Sequence, residues 1–211
     1  MAESNIKRET VDTWDDLRNV IDSYSIKMDQ YIFRGHRKNE WKLEPTLRRK
    51  LKEFYPGKQS DWNVKKHNIY DSFMSNIRGR SNISFGPIEP DEDEIWALGR
   101  HYGLYTPLLD WNRSLYVALF FALWKNTDSG DGFRALWALH VPDIEIINRE
   151  HRKEGAAKLV DIVNPMTNEN PRLVNQNGLF LNIPLSLDLE AWVNEGIDTK
   201  EITLFTGSHL D

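Results

Sequence analysis

The sequence has no cysteine among its 211 residues. This absence excludes a disulfide scaffold, a thiolate metal site and a cysteine nucleophile, and it fits a reducing compartment. The longest uninterrupted apolar run is the ten residues from Leu115 to Trp124, which is well short of the roughly 20 that a membrane-spanning helix needs. The first residues are polar and do not resemble a secretory leader. We therefore expect a cytoplasmic protein with no membrane partner.

Several common catalytic signatures are missing as well. The sequence contains no HExxH, P-loop, GxSxG or GxGxxG motif, so zinc protease, nucleoside triphosphatase, serine hydrolase and Rossmann interpretations have no support. The six histidines are scattered at positions 36, 67, 101, 140, 151 and 209. None of them pair at metal-ligand spacing, so no metal site is predicted.

Apolar and aromatic residues, in contrast, are plentiful enough for one well-packed core. They make up 40% and 11% of the chain, which favours a single domain over residues 1–211 with its core at about residues 31–183. Helical and strand patterns alternate without a regular β-α-β rhythm, and no internal repeat is present. The pattern predicts an α+β fold with a mixed sheet and a central buried helix.

Local patterns place the elements of this fold. A capping box and helical spacing predict a helix from Thr13 to Ser25, and an aromatic, β-branched run predicts a strand at Tyr31–Phe33. The acidic run at 91–94 favours a helix start over a metal site. The remaining predictions are an extended segment at 43–47, helices at 61–78, 91–103, 144–154 and 186–193, loops at 79–90, 126–132 and 164–171, and strands at 133–141, within 172–183 and at 201–205.

Positive charge is concentrated in one part of a chain whose net charge is −5. Residues 31–66 contain eleven Lys and Arg against four Asp and Glu. Such a segment fits either a basic groove for phosphates or nucleic acid, or ordinary solvated faces. The aromatic residues Trp41, Tyr55 and Trp62 within it would offer stacking faces to nucleic-acid bases.

The stretch from His101 to Lys125 organises the centre of the chain. A polar cluster at residues 110–114 precedes the ten-residue apolar run, which we expect to be a helix or a strand buried on all sides. If it is a helix, Asn112 or Ser114 caps it, and the free N–H groups of its first turn point toward Asp110. That geometry suits a ligand oxygen or phosphate, and it also suits a plain capped core helix.

Arg34 and Gly35 follow the predicted strand at Tyr31–Phe33. An arginine keeps its charge, so it needs an anion, either a ligand phosphate or a protein carboxylate such as Asp110. The glycine allows a turn or the close approach of a ligand. The two interpretations of Arg34, a ligand site and a structural ion pair, remain open at the level of sequence.

Three blocks of the sequence, in order, resemble the FRG domain family, which is named for a Phe-Arg-Gly motif. The first runs from Tyr31 to Gly35 with Trp41 and residues 45–49 after it, the second comprises residues 101–111 and 117–122, and the third is residues 175–180. The resemblance implies a largely uncharacterised domain of bacterial and phage proteins, some of which have the look of conflict or defence systems. A toxin or phage-defence role is the corresponding expectation.

The layout of these blocks also has a fainter similarity to arginine-type ADP-ribosyltransferases, whose site opens with an aromatic strand ending in Arg-Gly. This resemblance implies NAD as cofactor, bound by Arg34, Gly35, Thr106 and Ser114. It assigns catalytic roles to Arg34, Asp110 and Gln176, the last standing where those enzymes have a glutamate. Glutamine is neutral and cannot act as a base, so either Asp110 supplies the carboxylate or transfer is lost.

His101 completes the set of candidate catalytic residues. It is able to act as an acid, a base or a phosphate ligand near neutral pH, or it is simply a helix C-terminal histidine favoured by the helix dipole. Three functions remain open: a nucleotide-dependent or NAD-consuming enzyme, a nucleic-acid binder or nuclease using the segment 34–66, and a non-catalytic module. In the third, Arg34 and Asp110 pair in the core and the surface recruits a protein partner.

Overall fold

The computed structural model describes residues 6–78, 91–124, 133–155, 159–164, 178–186, 189–195 and 202–207. Within them, seven strands form one sheet in the order β1-β7-β4-β2-β3-β6-β5. The first two strands in this order are parallel, and every other neighbouring pair is antiparallel. The strands are β1 (Ile6–Val11), β2 (Tyr31–His36), β3 (Leu108–Asn112), β4 (Arg134–His140), β5 (Asp161–Val163), β6 (Gly178–Asn182) and β7 (Ile202–Gly207).

The described residues also form seven α-helices. They are α1 (Trp14–Ser25), α2 (Thr46–Phe54), α3 (Trp62–Ile77), α4 (Glu92–His101), α5 (Leu115–Leu123), α6 (Val141–Lys153) and α7 (Leu189–Glu195). None of these helices has both the length and the apolar character that crossing a bilayer requires.

The sheet has a packed core on each face. On one face, residues of α1 and α5 pack against Tyr31, Phe33, Leu136 and Ala138. On the other, residues of α6 and α7 pack with Ile32 and tryptophans of the sheet. Successive residues of β2 therefore point into different cores, as a strand requires. The predicted α+β class with a mixed sheet is confirmed.

The central helix, α5, is less buried than the sequence predicts. Its N-cap is Ser114, whose hydroxyl accepts a hydrogen bond from the Val117 N–H. However, Tyr116, Phe120 and Trp124 are 60%, 54% and 52% exposed. The expectation of burial on all sides is wrong because the helix rests on one face of the sheet and nothing among the described residues covers its outer side.

Several predicted elements are confirmed by their capping groups. Thr13 accepts a hydrogen bond from the Asp16 N–H at the start of α1. Asp91 does the same for the Glu94 N–H at the start of α4, so the acidic run is a helix start. The predicted helix 61–78 corresponds to α3, and the strands at 31–33, 133–141 and 201–205 correspond to β2, β4 and β7.

Other predictions are wrong or cannot be compared. The prediction of an extended segment at 43–47 is wrong for its last two residues, because α2 begins at Thr46. Pro45 is the N-cap of this helix, and the fixed backbone angle of proline is compatible with a helix start. The strands β1 and β5 have no counterpart in the predictions; β1 is exposed between its buried ends, Ile6 and Val11. The loops at 79–90 and 126–132, most of the loop at 164–171 and the strand before Gly178 lie outside the described residues.

Candidate functional site

Strand β2 places Arg34 at the centre of the sheet, next to β3. Its Nη1 donates a hydrogen bond to the main-chain carbonyl of Asp110 in β3. Its Nε donates to Nε2 of His36, two residues along the same strand, at 2.8 Å. The side chain of Arg34 is 20% exposed. The guanidinium is thus hydrogen-bonded to two neutral acceptors, and the side chain as a whole is mostly buried.

The carboxylate of Asp110 is bound by a different arginine. Arg100, in the last turn of α4, donates from Nε to Oδ1 at 2.7 Å and from Nη2 to Oδ2. Arg34 Nη1 lies 3.7 Å from Oδ2, which is an ion pair but not a hydrogen bond. The Arg34–Asp110 ion pair that the non-catalytic hypothesis predicts is therefore present. The hydrogen bonds to both carboxylate oxygens, however, come from Arg100.

Positive charge exceeds negative charge around this carboxylate. Arg49 of α2 is exposed, donates to the Glu44 carbonyl at 2.9 Å, and lies close enough to act electrostatically on Arg34. We call Arg34, Arg49 and Arg100, with Asp110, the arginine cluster. Arg34 and Arg100 share the one carboxylate of Asp110, and Arg49 adds positive potential at Arg34, so the cluster carries a net positive charge that would attract an anion.

The ionisation of Arg34 reflects this imbalance. Burial lowers the pKa of Arg34 to about 10, and the charge of Asp110 opposes the shift only in part. The charges of Arg100 and Arg49 are smaller contributions to the same lowering of the pKa. Arg34 remains cationic at neutral pH, but its positive charge is poorly compensated.

His36 is a member of the site that the sequence did not indicate. The residue is 2% exposed, and its Nε2 accepts the hydrogen bond from Arg34, which places the proton of the neutral ring on Nδ1. Burial and then the charge of Arg34 lower the pKa of His36 to about 3. An imidazole that is neutral near pH 7 therefore accepts the hydrogen bond of Arg34 without adding charge.

Gly35 is explained by helix packing. A Cβ at this position would lie 1.9 Å from the carbonyl oxygen of Ala118 and 2.7 Å from the nitrogen of Ala122. The backbone of α5 therefore lies directly against β2, and only glycine leaves the necessary space. A contact between Gly35 and a cofactor stays a prediction.

The other predicted cofactor residues have structural partners. Thr106 is fully buried, and its hydroxyl accepts a hydrogen bond from Arg100 Nη1 at 3.5 Å. Its carbonyl accepts from the Leu47 N–H, which joins α2 to this loop. Thr106 thus contacts the arginine cluster through Arg100, whereas the Ser114 hydroxyl is engaged at the start of α5.

The remaining predicted catalytic residues are not joined to the cluster. His101 is exposed as the last residue of α4, and the ring of Tyr102 is its neighbour at 5.3 Å. No contact with Arg34 or Asp110 is seen for it among the described residues. Gln176 lies outside the described residues, so its role stays a prediction.

The basic segment at 31–66 is partly neutralised inside the protein. Arg48 is buried and donates to Glu44, to which Lys52 also donates at 2.6 Å. Trp62 is only 6% exposed, so its predicted role as a stacking face is wrong, since it packs in a core with Leu47 and others. Trp41 and Tyr55, at 42% and 38% exposure, remain accessible.

No cluster of three or more His, Asp or Glu side chains suited to a metal ion occurs in the part of the chain that the structure describes.

Against known families, residues 29–131 match the model described as FRG domain. No curated protein and no solved structure matches the chain.

Proposed function

From the match of residues 29–131 to the FRG domain model, we propose that the chain binds a phosphate-bearing nucleotide at the arginine cluster. NAD is the first candidate, because the same segment resembles the arginine-bearing strand of ADP-ribosyltransferases. The proposal makes Arg34 the main anion ligand and Arg100 the second.

One observation carries this proposal. Arg34 uses Nε and Nη1 for neutral acceptors, while its Nη2 donates to no described residue. A guanidinium that is mostly buried normally has a full carboxylate partner, because leaving it unpaired is costly. A phosphate would supply the missing charge and accept the free N–H groups.

The same geometry suggests how a ligand would free Asp110. Phosphate and carboxylate compete for the same face of a guanidinium, so a phosphate bound between the two arginines would draw Arg100 away from Asp110. The released carboxylate, whose side chain is 43% exposed, would then face the ligand's sugar.

In ADP-ribosyltransferase-like chemistry, the bond between the nicotinamide nitrogen and the ribose C1′ breaks, and the bonding electrons leave with nicotinamide. An acceptor nucleophile, or water in hydrolysis, forms the new bond to C1′ and releases its proton to solvent. The ribose acquires positive charge in the transition state. A carboxylate at the position of Asp110 would stabilise that charge. Gln176 would be limited to orienting a ribose hydroxyl, because an amide carries no charge.

Calorimetric titration tests nucleotide binding directly. NAD and ADP-ribose are titrated into the wild type and into the Arg34→Gln and Arg18→Gln variants. Arg18 is an exposed arginine of α1 that pairs with Asp15. Its replacement is the control, because it removes the same charge without altering the arginine cluster. We expect a loss of about tenfold or more in affinity for Arg34→Gln, since charged hydrogen bonds contribute about 1.5–3 kcal/mol, and no change for Arg18→Gln. Absence of binding to the folded wild type at millimolar ligand would refute the proposal.

Turnover is a separate question with its own measurement. If the chain consumes NAD, chromatography will detect free nicotinamide that increases with protein concentration, and Asp110→Asn will abolish the release while retaining NAD binding. Binding without nicotinamide release would leave a nucleotide-binding domain that lacks the transferase step.

A role as a bacterial or phage conflict effector is supported by family resemblance only. It predicts that inducible expression in a bacterial host slows growth, and that Arg34→Gln restores growth at equal protein level. Equal growth of cells expressing the wild type and cells carrying an empty vector would count against a toxin.

A second candidate function, nucleic-acid binding, has one favourable observation. Arg37 lies 5.7 Å above the exposed ring of Trp41, and such a cation and aromatic pair is able to bind a phosphate and stack a base. Single-stranded RNA or DNA should then bind with a steep dependence on salt between about 50 and 200 mM. Trp41→Ala should weaken this binding and leave NAD binding unchanged.

A further inference from the structure

A cavity lies between α2 and α3, and neither Arg34 nor Asp110 lines it. Leu104, in the loop after α4, is also part of its lining, and the cavity volume is about 510 Å³. This volume lies within the range of about 300–1,000 Å³ that is typical of small-molecule sites. We call it the α2–α3 groove; its lining residues are Leu51, Tyr55, Lys65, Asn68, Ile69, Ser72, Phe73, Asn76 and Leu104.

The lining of the α2–α3 groove is divided between apolar and polar groups. Leu51 is buried, and Ile69, Phe73 and Leu104 are half-buried, so together they form an apolar floor. Polar residues recur along α3 at 68, 72 and 76, a spacing of four that places them on one side of the helix. The groove therefore has an apolar floor beside a row of polar side chains, of which Asn76 donates to the main-chain carbonyl of Ser72.

Lys65 gives this groove a charge. Its Nζ lies 4.9 Å from the ring centroid of Tyr55, which is also part of the lining. No carboxylate pairs with Lys65 among the described residues. The neighbouring Lys66, in contrast, pairs with Glu92 at 2.9 Å. Lys65 is therefore an ammonium group at the groove that is available to an anion.

We propose that the α2–α3 groove binds a small molecule with a flat apolar body and one anionic group, such as an aromatic carboxylate or sulfonate. The apolar body lies on Ile69, Phe73 and Leu104, the ring of Tyr55 flanks it, and the anionic group pairs with Lys65. This site uses none of the residues of the arginine cluster, so it stands or falls independently of nucleotide binding.

Two dyes of similar shape and different charge test the proposal. The probes are 1-anilinonaphthalene-8-sulfonate, which is anionic, and N-phenyl-1-naphthylamine, which is neutral, each followed by its fluorescence on titration with the protein. For Lys65→Gln we expect about threefold to fivefold weaker binding of the anionic dye and less than a twofold change for the neutral dye, as is typical of a partly exposed ion pair. The matched control is Lys27→Gln, which removes an exposed lysine on another part of the surface.

Two further variants establish where the dyes bind. Ser72→Phe places a ring in the groove from an exposed position of α3, so it should reduce the binding of both dyes by tenfold or more. Phe120→Ser removes an exposed ring from α5 and should change neither. The circular dichroism spectrum and melting temperature of each variant are compared with those of the wild type. This control shows that a variant that has lost binding is still folded.

The opposite results would overturn the proposal. If Ser72→Phe is folded and binds both dyes as the wild type does, the dyes do not occupy the groove. If Lys65→Gln and Lys27→Gln weaken the anionic dye equally, Lys65 is not its partner. If Phe120→Ser alone abolishes binding, the dyes bind the exposed rings of α5 instead.

Discussion

Arg100 binds both carboxylate oxygens of Asp110, although one residue lies in the last turn of α4 and the other in the middle of β3. This pairing ties the helix to the sheet. It also leaves Arg34 with only a 3.7 Å contact to the same carboxylate. Nη2 of Arg34 therefore makes no hydrogen bond among the described residues, and it is there that the proposed phosphate would bind.

Removing Arg100 should destabilise the protein moderately. Arg100→Gln leaves Asp110 with Arg34 as its remaining cation, and we expect the free energy of unfolding to fall by about 1–2 kcal/mol, since both side chains are partly exposed. Urea denaturation measures this change. In a double-mutant cycle, Asp110→Asn should cost much less in the Arg100→Gln background than in the wild type; equal costs would show that the two residues do not interact.

Replacing Gly35 should be more damaging than its small size suggests. Gly35→Ala forces a methyl group to within 1.9 Å of the Ala118 carbonyl, so α5 must move away from β2. We expect a loss of about 3 kcal/mol or more in unfolding free energy, measured by denaturation.

Gly57→Ala is the control for this substitution. Gly57 has a φ of 74° and open space around it, so alanine there adds backbone strain without a clash and should cost about 1 kcal/mol. If Gly35→Ala is no worse than Gly57→Ala, the close approach of α5 to β2 is not what requires glycine.

The buried, neutral His36 predicts a dependence of stability on pH. The pKa of His36 is about 3 in the folded protein and near 6.5 when unfolded, so the unfolded chain binds more protons between these values. The stability that this group contributes is complete above about pH 6.5 and is lost as pH falls toward 3, at up to about 1.4 kcal/mol per pH unit.

The His36→Gln variant isolates this contribution from that of the carboxylates. Glutamine still offers an oxygen to Arg34 but does not titrate. Between about pH 7.5 and 5, we expect the wild type to lose about 2 kcal/mol more unfolding free energy than His36→Gln. Parallel pH profiles for the two proteins would mean that folding does not lower the pKa of His36.

Two substitutions in α5 test whether its outer side is exposed while its inner side is buried against β2. Phe120 is 54% exposed, so Phe120→Ser should change the unfolding free energy by less than about 0.5 kcal/mol. Ala118 is fully buried against β2, and Ala118→Val should cost about 1–3 kcal/mol. A large loss for Phe120→Ser would show that the ring is covered in solution.

Local sequence signals were sufficient for much of this fold. Thr13 and Asp91 are capping residues followed by helical spacing, and each does begin a helix. The strand Tyr31–Phe33 was predictable because aromatic and β-branched residues fit a buried sheet position. These signals depend on neighbours in sequence, which is why sequence alone reveals them.

The features that sequence analysis missed depend on contacts across the fold. The strand β1 carries mostly exposed residues, and its pairing with β7, nearly two hundred positions later, is invisible to local patterns. The apolar run of α5 indicated full burial because composition does not reveal how many faces a helix presents to neighbours. Tertiary placement decides both cases.

Sequence patterns reach the candidate site only in part. Arg34 and Asp110 each stand in a distinctive block, and the ion pair that is one of the two open interpretations of Arg34 is present in the structure. Arg100 and His36 were not selected, since an arginine in a last helical turn and a lone histidine are common for other reasons. The pairing of β2 with β3, at Phe33 and Asn112, brings Arg34 beside Asp110, to which Arg100 of α4 is also bound.

The most direct test of the central claim is a crystal structure of the chain soaked with ADP-ribose. The account predicts that a phosphate oxygen lies within hydrogen-bond distance of Arg34 Nη2, with Arg100 displaced from at least one oxygen of Asp110. A bound ligand that contacts neither Arg34 nor Arg100, or ligand-free density at the arginine cluster in crystals whose soak contained millimolar ADP-ribose, would contradict it.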